Sequence, residues 1–359
     1  MKKVAITGAG IAGLAMAIEL RRLGFDVDLF EKAACSRSDG HGFLIHPDAV
    51  AILKSIIGEK SDTSLSGSFI NRLVLKNNQN QLLEETSLNN WICMKRADAI
   101  TALERKLPKE IIHHNAVFSH LISEDEKIKA IAFKNGQEVN ADWFIGADGA
   151  HSQVRTALFG PTEYTTVLVK EILGATVNEK LFNQCKNTFT KYLHRANGIS
   201  FGIIPNQDNE LIWFIQFDSI KYQIDYDSSV DKSSFCKELM EDFPGWIQEI
   251  FDNPDTRTEY VWSTTDFDLL NAFHKQNVVL IGDAAHLALP FTSAGVANAL
   301  QDVKCLISML EKENNLENIF KNYYIRRAPE VLEHTITGRR IRTGFLEGSD
   351  KQVVLPMVF

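Results

Sequence analysis

The sequence predicts an α/β fold: a three-layer sheet domain, an antiparallel β-sheet inserted into it, and a long helix at the C-terminal end. Three observations predict it. Residues 4–6 and 278–281 are short unbroken apolar runs, the pattern of parallel strands buried on both faces. Between 163 and 217 the chain is rich in β-branched and aromatic residues separated by Gly, Asn and Pro turns, which reads as antiparallel sheet. Residues 294–310 and 316–345 read as long helices.

The first strand leads straight into chemistry. After Val4, Ala5 and Ile6 come Gly8, Gly10 and Gly13 on the G-x-G-x-x-G spacing, and residues 11–23 continue with helical period and no proline. Gly8 suits the tight turn, Gly10 the close approach of a pyrophosphate, and Gly13 the close packing of helix on strand. A helix N-terminus there offers amides and a partial positive charge to phosphates. A second strand, 26–30, ends on Glu31, a carboxylate placed for the hydroxyls of an adenosine ribose. Strand, helix, strand and terminal acid in this order predict a Rossmann-like dinucleotide site.

The remaining elements follow in order. A glycine-bearing loop spans 33–42, and a helix with Pro47 in its first turn spans 47–57. Residues 61–68 read as loop, and 73–75 with 82–86 as a hairpin around four polar residues. A helix from Arg96 stops before Pro108, a strand pair covers 116–122 and 128–133, and a strand over 139–145 delivers Gly146-Ala147-Asp148-Gly149. Within the insertion lie strands 167–169, 199–204 and 211–217, a helix over 235–242 and a strand at Val261 and Trp262. The expected division is a dinucleotide domain of 1–75, 92–162 and 270–359, with a β-rich substrate domain of 76–91 and 163–269.

Composition narrows the classes. Of 359 residues 45% are hydrophobic and 23% charged, ordinary for a globular chain. A formal charge of −8 gives no basic excess for a nucleic-acid partner. Five scattered cysteines without a C-x-x-C read as reduced thiols, not a disulfide or zinc framework. No signal peptide precedes the first strand and no apolar run reaches membrane-spanning length, so a cytoplasmic protein without membrane insertion is expected, a monomer or homodimer.

Chemistry collects again after the strand 278–281, at Gly282-Asp283-Ala284-Ala285-His286. An acid at a strand's carboxyl end sits in the ligand crevice of an α/β sheet; taken alone, Asp283 more commonly reads as a helix N-cap before Ala284 and Ala285. The loop Leu289-Pro290-Phe291-Thr292-Ser293-Ala294-Gly295-Val296 then opens a long helix, presenting amides to negative charge or forming an ordinary capping turn.

Taken together, Gly8, Gly10 and Gly13 with Glu31, then the ten residues Gly146-Ala147-Asp148-Gly149-Ala150-His151-Ser152-Gln153-Val154-Arg155, then Gly282 to His286 resemble three ordered motifs of a known family. It is the single-component (group A) FAD-dependent monooxygenases, the p-hydroxybenzoate hydroxylase-like family. The resemblance implies FAD, held by Gly8, Gly10, Ile11, Ala12, Gly13, Glu31, Lys32, Arg37, Arg96, Asp148, Gly282, Asp283, Ala294, Gly295 and Val296. Arg96 resembles the family's arginine near the pyrophosphate. Two positions depart from the family's P-x-x-G-x-G-x-N loop: Ser293 and Ala297 stand where Gly and Asn are usual. The chain's length and residues 42–46 are more similar to the compact members, which include the tetracycline-inactivating monooxygenases.

The activity so implied is hydroxylation of an aromatic or polycyclic small molecule. NAD(P)H, with NADPH favoured over NADH, reduces FAD; dioxygen adds at flavin C4a; the hydroperoxide delivers one oxygen atom and water leaves. Substrate contacts are expected from the inserted sheet and from Pro290. Alternation puts Ile212, Phe214 and Gln216 on one face of their strand; Phe214 and Gln216 line an apolar pocket or, on the bland alternative, Gln216 faces solvent. His46 and His194 are candidate proton relays or structural histidines, and Arg37 meets a cofactor or is a surface arginine. The run Arg326, Arg327, Arg339, Arg340 and Arg342 reads as a solvated face paired with Glu330, Glu333 and Glu347. The rival readings are a flavin-dependent halogenase, whose W-x-W-x-I-P string is missing here, a flavin-dependent reductase of polyprenyl chains, and a non-enzymatic flavin- or nucleotide-sensing protein.

Overall fold

Val4, Ala5 and Ile6 are fully buried because the strand Lys3–Thr7 lies inside a six-stranded sheet. In the computed structural model, which describes residues 2–35, 42–58, 65–223 and 232–348, the order across this sheet is His274–Lys275, Val278–Leu280, Trp143–Gly146, Lys3–Thr7, Asp26–Phe30 and Ile112–His113. All pairings are parallel except that of the short edge strand His274–Lys275. The consequence is positional: the strands ending at Thr7, Phe30, Gly146 and Leu280 point their carboxyl ends the same way. The first helix, Ile11–Arg22, packs on the helix Gly295–Leu310, and both share one core with the sheet. A three-stranded sheet, Phe118–Glu124, Lys127–Phe133 and Glu138–Asn140, supplies a further layer, with Phe133 stacked on Phe30 at 4.7 Å.

The second sheet has eight strands, ordered Arg257–Phe267, Tyr164–Val177, Glu210–Asp218, Ile199–Pro205, Thr188–His194, Ser68–Asn77, Leu82–Lys95 and Gly42–Ile45. It is antiparallel throughout except where Thr188–His194 meets Ser68–Asn77 in parallel. It also reaches further into the N-terminal half than the expected boundaries at 75/76 and 91/92. Gly42–Ile45, most of Ser68–Asn77 and the last residues of Leu82–Lys95 all pair within it. Alternation on Glu210–Asp218 divides its residues as anticipated. Trp213, Ile215 and Phe217 pack under the helices Glu179–Cys185, Lys232–Leu239 and Gly245–Ile250. Ile212 and Phe214 face the other way, against Leu44, Leu75 and Phe189.

The C-terminal helix, Leu316–Glu347, is tied to both units. Phe320 packs on Trp143 of the parallel sheet at 5.7 Å, and Arg339 donates to Asp266 of the second sheet at 2.8 Å. Among the described residues no helix is long and apolar enough to cross a membrane.

Candidate active site

The four strand ends assemble around the glycine turn. Gly8 has φ +104°, the left-handed side where L-residues are strained. A Cβ at Gly8 would strike the Ala147 carbonyl, and one at Gly13 would overlap the Gly8 carbonyl oxygen, so first turn, first helix and third strand close on each other without side chains between them. Gly10 differs. Its missing Cβ opens onto space whose nearest atom is Arg96 Nη2 at 3.9 Å. The helix starting at Ile11 has no side-chain cap, so its first amides face that space beside a guanidinium. This cradle fits a dinucleotide pyrophosphate: room for the backbone to approach, uncapped amides, and one cation. Ile11 and Ala12, in the first turn of the helix, are buried.

Glu31 ends the second strand, where one carboxylate oxygen accepts from the Ala9 amide at 2.8 Å and the other from the Ala33 amide at 2.9 Å. The acid is thereby fixed against the glycine turn, while Lys32 beside it is exposed. Arg37 lies outside the described residues.

Asp148 is occupied within its own motif. Its carboxylate accepts from Ser152 Oγ and from the amides of Gln153 at 2.7 Å and Val154 at 3.2 Å, capping the helix Gln153–Phe159. Arg155, on the same helix and fully buried, joins this motif to the next. It donates to the carbonyls of Ala150 at 2.6 Å, Ala284 at 2.9 Å and Asp283 at 3.2 Å, and its guanidinium lies 4.3 Å from the Phe267 ring centre. Burial lowers its pKa, with the neighbouring Tyr164 and Asp148 pulling the other way.

Asp283 begins no cap: no hydrogen bond to its carboxylate is found among the described residues, and the short turn Gly282–Ala284 has no side-chain cap. A Cβ on Gly295 would stand 4.0 Å from its Oδ1. Desolvation raises its pKa, against the pull of Arg96 and His286. Gly282, at φ +59°, lets its turn approach Ala12 of the first helix. Arg96 therefore stands beside both Gly10 and Asp283, and those three with Gly295 form one cluster. Ala294 is buried, and Val296 packs against the main core.

Beneath this cluster is a residue that sequence reasoning did not single out. Asp302, on the helix Gly295–Leu310, is wholly buried and accepts from the Gly282 amide at 2.8 Å, His286 Nε2 at 2.7 Å and Arg327 Nε at 2.8 Å. An ionised carboxylate only accepts, so His286 donates from Nε2. Burial opposes its charge, but His286 and Arg327 hold its pKa down to about 2. Arg327 also reaches Glu330 and Asn298. The reading of the C-terminal arginines as a solvated face is corrected at Arg327, 2% exposed, and at Arg339, which pairs with Asp266 and Asp268.

The loop Pro290–Thr292 leads to Ser293 at φ +53°, ψ +21°, the left-handed region that explains why glycine is usual there. Phe291 packs with Val167, Val169 and Leu289, placing the loop against the second sheet. On that sheet's matching face Gln216 is 2% exposed, which removes the solvent-facing alternative, and Phe214 is half-buried. Gln216 accepts from Lys191 Nζ at 2.8 Å and Ser200 Oγ at 3.2 Å and donates to Glu171 Oε2 at 2.6 Å. Burial pushes Glu171 up to about 7 and Lys191 down to about 8, each charge partly restoring the other. Lys191 and Glu171 carry no motif; in the sequence only their place on alternating strands marks them. His46 has a capping role. Its Nδ1 accepts from the Asp48 amide at 3.2 Å as the cap of helix Pro47–Ile57, its ring packs edge-on to Trp91, and burial lowers its pKa. His194 sits by Asp242 and Asn197, at 3.3 and 3.2 Å.

Residues 1–333 match the model of the FAD binding domain family. YetM of Bacillus subtilis, provisionally named an FAD-dependent monooxygenase, is 27% identical over 355 residues, 93% of this chain and 91% of that protein. The 6-hydroxynicotinate 3-monooxygenase of Pseudomonas fluorescens is 25% identical over 347 residues, 91% and 87% of the two chains. The fold of tetracycline destructase Tet(51) superposes with a TM-score of 0.72 at 24% identity, covering 98% of this chain and 92% of that one. The chain belongs to the FAD binding domain family, among the single-component FAD-dependent monooxygenases.

Proposed function

We propose that this chain is an NAD(P)H- and dioxygen-consuming hydroxylase of a small aromatic or polycyclic molecule. The observation that carries the reading is the convergence of two surfaces. The Gly10, Arg96, Asp283 and Gly295 cluster fits FAD, and the loop at Pro290 that leads into it packs against the face bearing Phe214 and Gln216. When bound, FAD supplies electron acceptance from NAD(P)H and activation of dioxygen.

The residues then divide the work. Arg96 and the first helix's uncapped amides balance the pyrophosphate charge, and Glu31 takes the ribose hydroxyls. Asp283 contacts the cofactor's ribitol side, held there by Arg155 and by Asp302 beneath Gly282. The amides opening Gly295–Leu310 favour negative charge on the ring they meet. Phe214 and Pro290 present apolar surface to the substrate and exclude water, and Gln216 orients it.

The test is direct. The purified protein should be yellow, with acid precipitation releasing FAD to the supernatant. NADPH oxidation, tried before NADH, should be slow alone and should rise with one member of a panel of phenols, quinolones and polycyclic antibiotics. That product should carry one atom from labelled dioxygen. A chain that holds FAD yet never forms an oxygenated product overturns the hydroxylase.

A further inference from the structure

Lys191, Gln216 and Glu171 are 6%, 2% and 4% exposed, and they come from three strands of one sheet face, where Ser200 joins them beside apolar Ile212 and Phe214. Register puts them in two adjacent rows. Glu171 pairs with Gln216 and Gln216 with Ser200; one step along, Leu173 pairs with Phe214, Phe214 with Gly202, and Gly202 with Lys191. Gly202 leaves the space that the Phe214 ring fills. An ammonium has three donors. Lys191 spends one on Gln216, and its ammonium also lies over the rings of Phe214 at 5.6 Å and Phe291 at 5.9 Å as cation–π contacts, which take no N–H donor in a hydrogen bond to oxygen. Glu171 makes no ion pair with it: the Gln216 amide stands between them. A buried cation with donors left over is costly unless a further acceptor arrives. Phe291 belongs to the loop that opens into Gly295, so the ammonium lies on the sheet face that this loop covers.

The residue types narrow the ligand. Arginine's planar fork suits a carboxylate through two parallel bonds, whereas lysine is a compact point charge that suits one oxygen. Two aromatic rings beside it suit a planar partner. A second anion near Glu171 is unfavourable in this low-dielectric setting unless that carboxylate takes up a proton.

Resting on the hydroxylase reading, we propose that Lys191 anchors a single ionised ring oxygen, a phenolate or enolate, of a planar substrate, with Glu171 as the counter-charge that the ligand replaces. As the ligand's O–H bond breaks, an O–H bond forms on Glu171, and the net charge of the site is unchanged. The raised pKa of Glu171 agrees with this proton uptake.

The FAD-loaded protein tests it with 4-nitrophenol, whose own visible band reports its ionisation, against 4-nitroanisole and 4-nitrobenzoate. At a pH where free 4-nitrophenol is mostly protonated, binding should raise the phenolate band. The methyl ether and the carboxylate should bind at least tenfold more weakly. Lys191→Met should lose the band and at least tenfold in affinity with FAD content unchanged. Glu171→Gln should keep the band and bind severalfold tighter. Equal binding of nitroanisole, tighter binding of nitrobenzoate, or loss of the band in Glu171→Gln overturns the anchor. The two readings fail separately: missing FAD or missing oxygen incorporation overturns the hydroxylase, whereas these binding results overturn only the anchor.

Discussion

Asp302→Asn is the substitution on which the structure makes its largest demand. Both carboxylate oxygens of Asp302 accept, Oδ1 from Arg327 and Oδ2 from the Gly282 amide and His286. An asparagine offers one acceptor, so its NH2 must turn toward a donor whichever way it is placed. Among the described residues it also leaves the buried Arg327 with Glu330 as its one remaining carboxylate partner. Removing one member of a buried pair costs about 3–5 kcal/mol. Unfolding entropy of about 2.1 cal/mol/K per residue over 359 residues converts this to a fall of about 4–7 °C in Tm. The pH dependence is a second signature. The folded pKa of about 2 lies below the ordinary 3.8, so the group's stabilisation is complete above about pH 4 and is lost as pH falls toward 2. That difference is worth about 2–3 kcal/mol. Thermal unfolding of the wild type and Asp302→Asn, followed from pH 7 to pH 3, measures both. The wild type should lose part of its advantage at the acid end. A mutant melting within about 1 °C of wild type at pH 7 would mean that the buried Asp302 network does not hold the fold.

Ser293→Gly should raise stability by up to about 1 kcal/mol: relief of a left-handed residue is worth about 1–2 kcal/mol, less the extra chain entropy of glycine. Denaturant unfolding reads it, and a loss of stability contradicts the strain. Asp283→Ala should weaken FAD binding, seen as flavin lost on gel filtration, with little change in Tm of the apoprotein, since its carboxylate caps no helix; a fall matching the ~1 kcal/mol of a lost cap with FAD retained restores the capping role. Gly13→Ala should abolish FAD retention or folding altogether, because its Cβ meets backbone and not a movable side chain; a yellow, stable variant contradicts the packing.

How much of this was legible follows from which features the sequence writes locally. The places of the glycine turn, Glu31 and the acids after strands 143–146 and 278–280 were legible because each is set within a few residues of a strand end. The helix Pro47–Ile57 was legible at its start, since Pro47 suits a first turn. The helices Glu179–Cys185 and Gly245–Ile250 were not, being seven and six residues long and too short to display a period. The sheet boundary failed for another reason. The strand Ser68–Asn77 finds its parallel partner at Thr188–His194, more than a hundred positions away, and no local pattern records that pairing.

The same distinction separates the site residues. Asp148 was legible as a motif acid, but its bonds to Ser152, Gln153 and Val154 appear only once the helix forms. Asp302 and Arg327 were not legible, because an acid and a base 25 positions apart reveal their pairing only when two helices pack. A buried ion pair of this kind contributes little net stability against apolar packing, and its cost is tolerated where it fixes one arrangement over others. Here what it fixes is the Gly282 amide, and through Gly282 the carboxylate of Asp283 that faces Gly295. The motif names the residues proposed to meet the cofactor; the pair beneath them fixes the turn on which Asp283 stands.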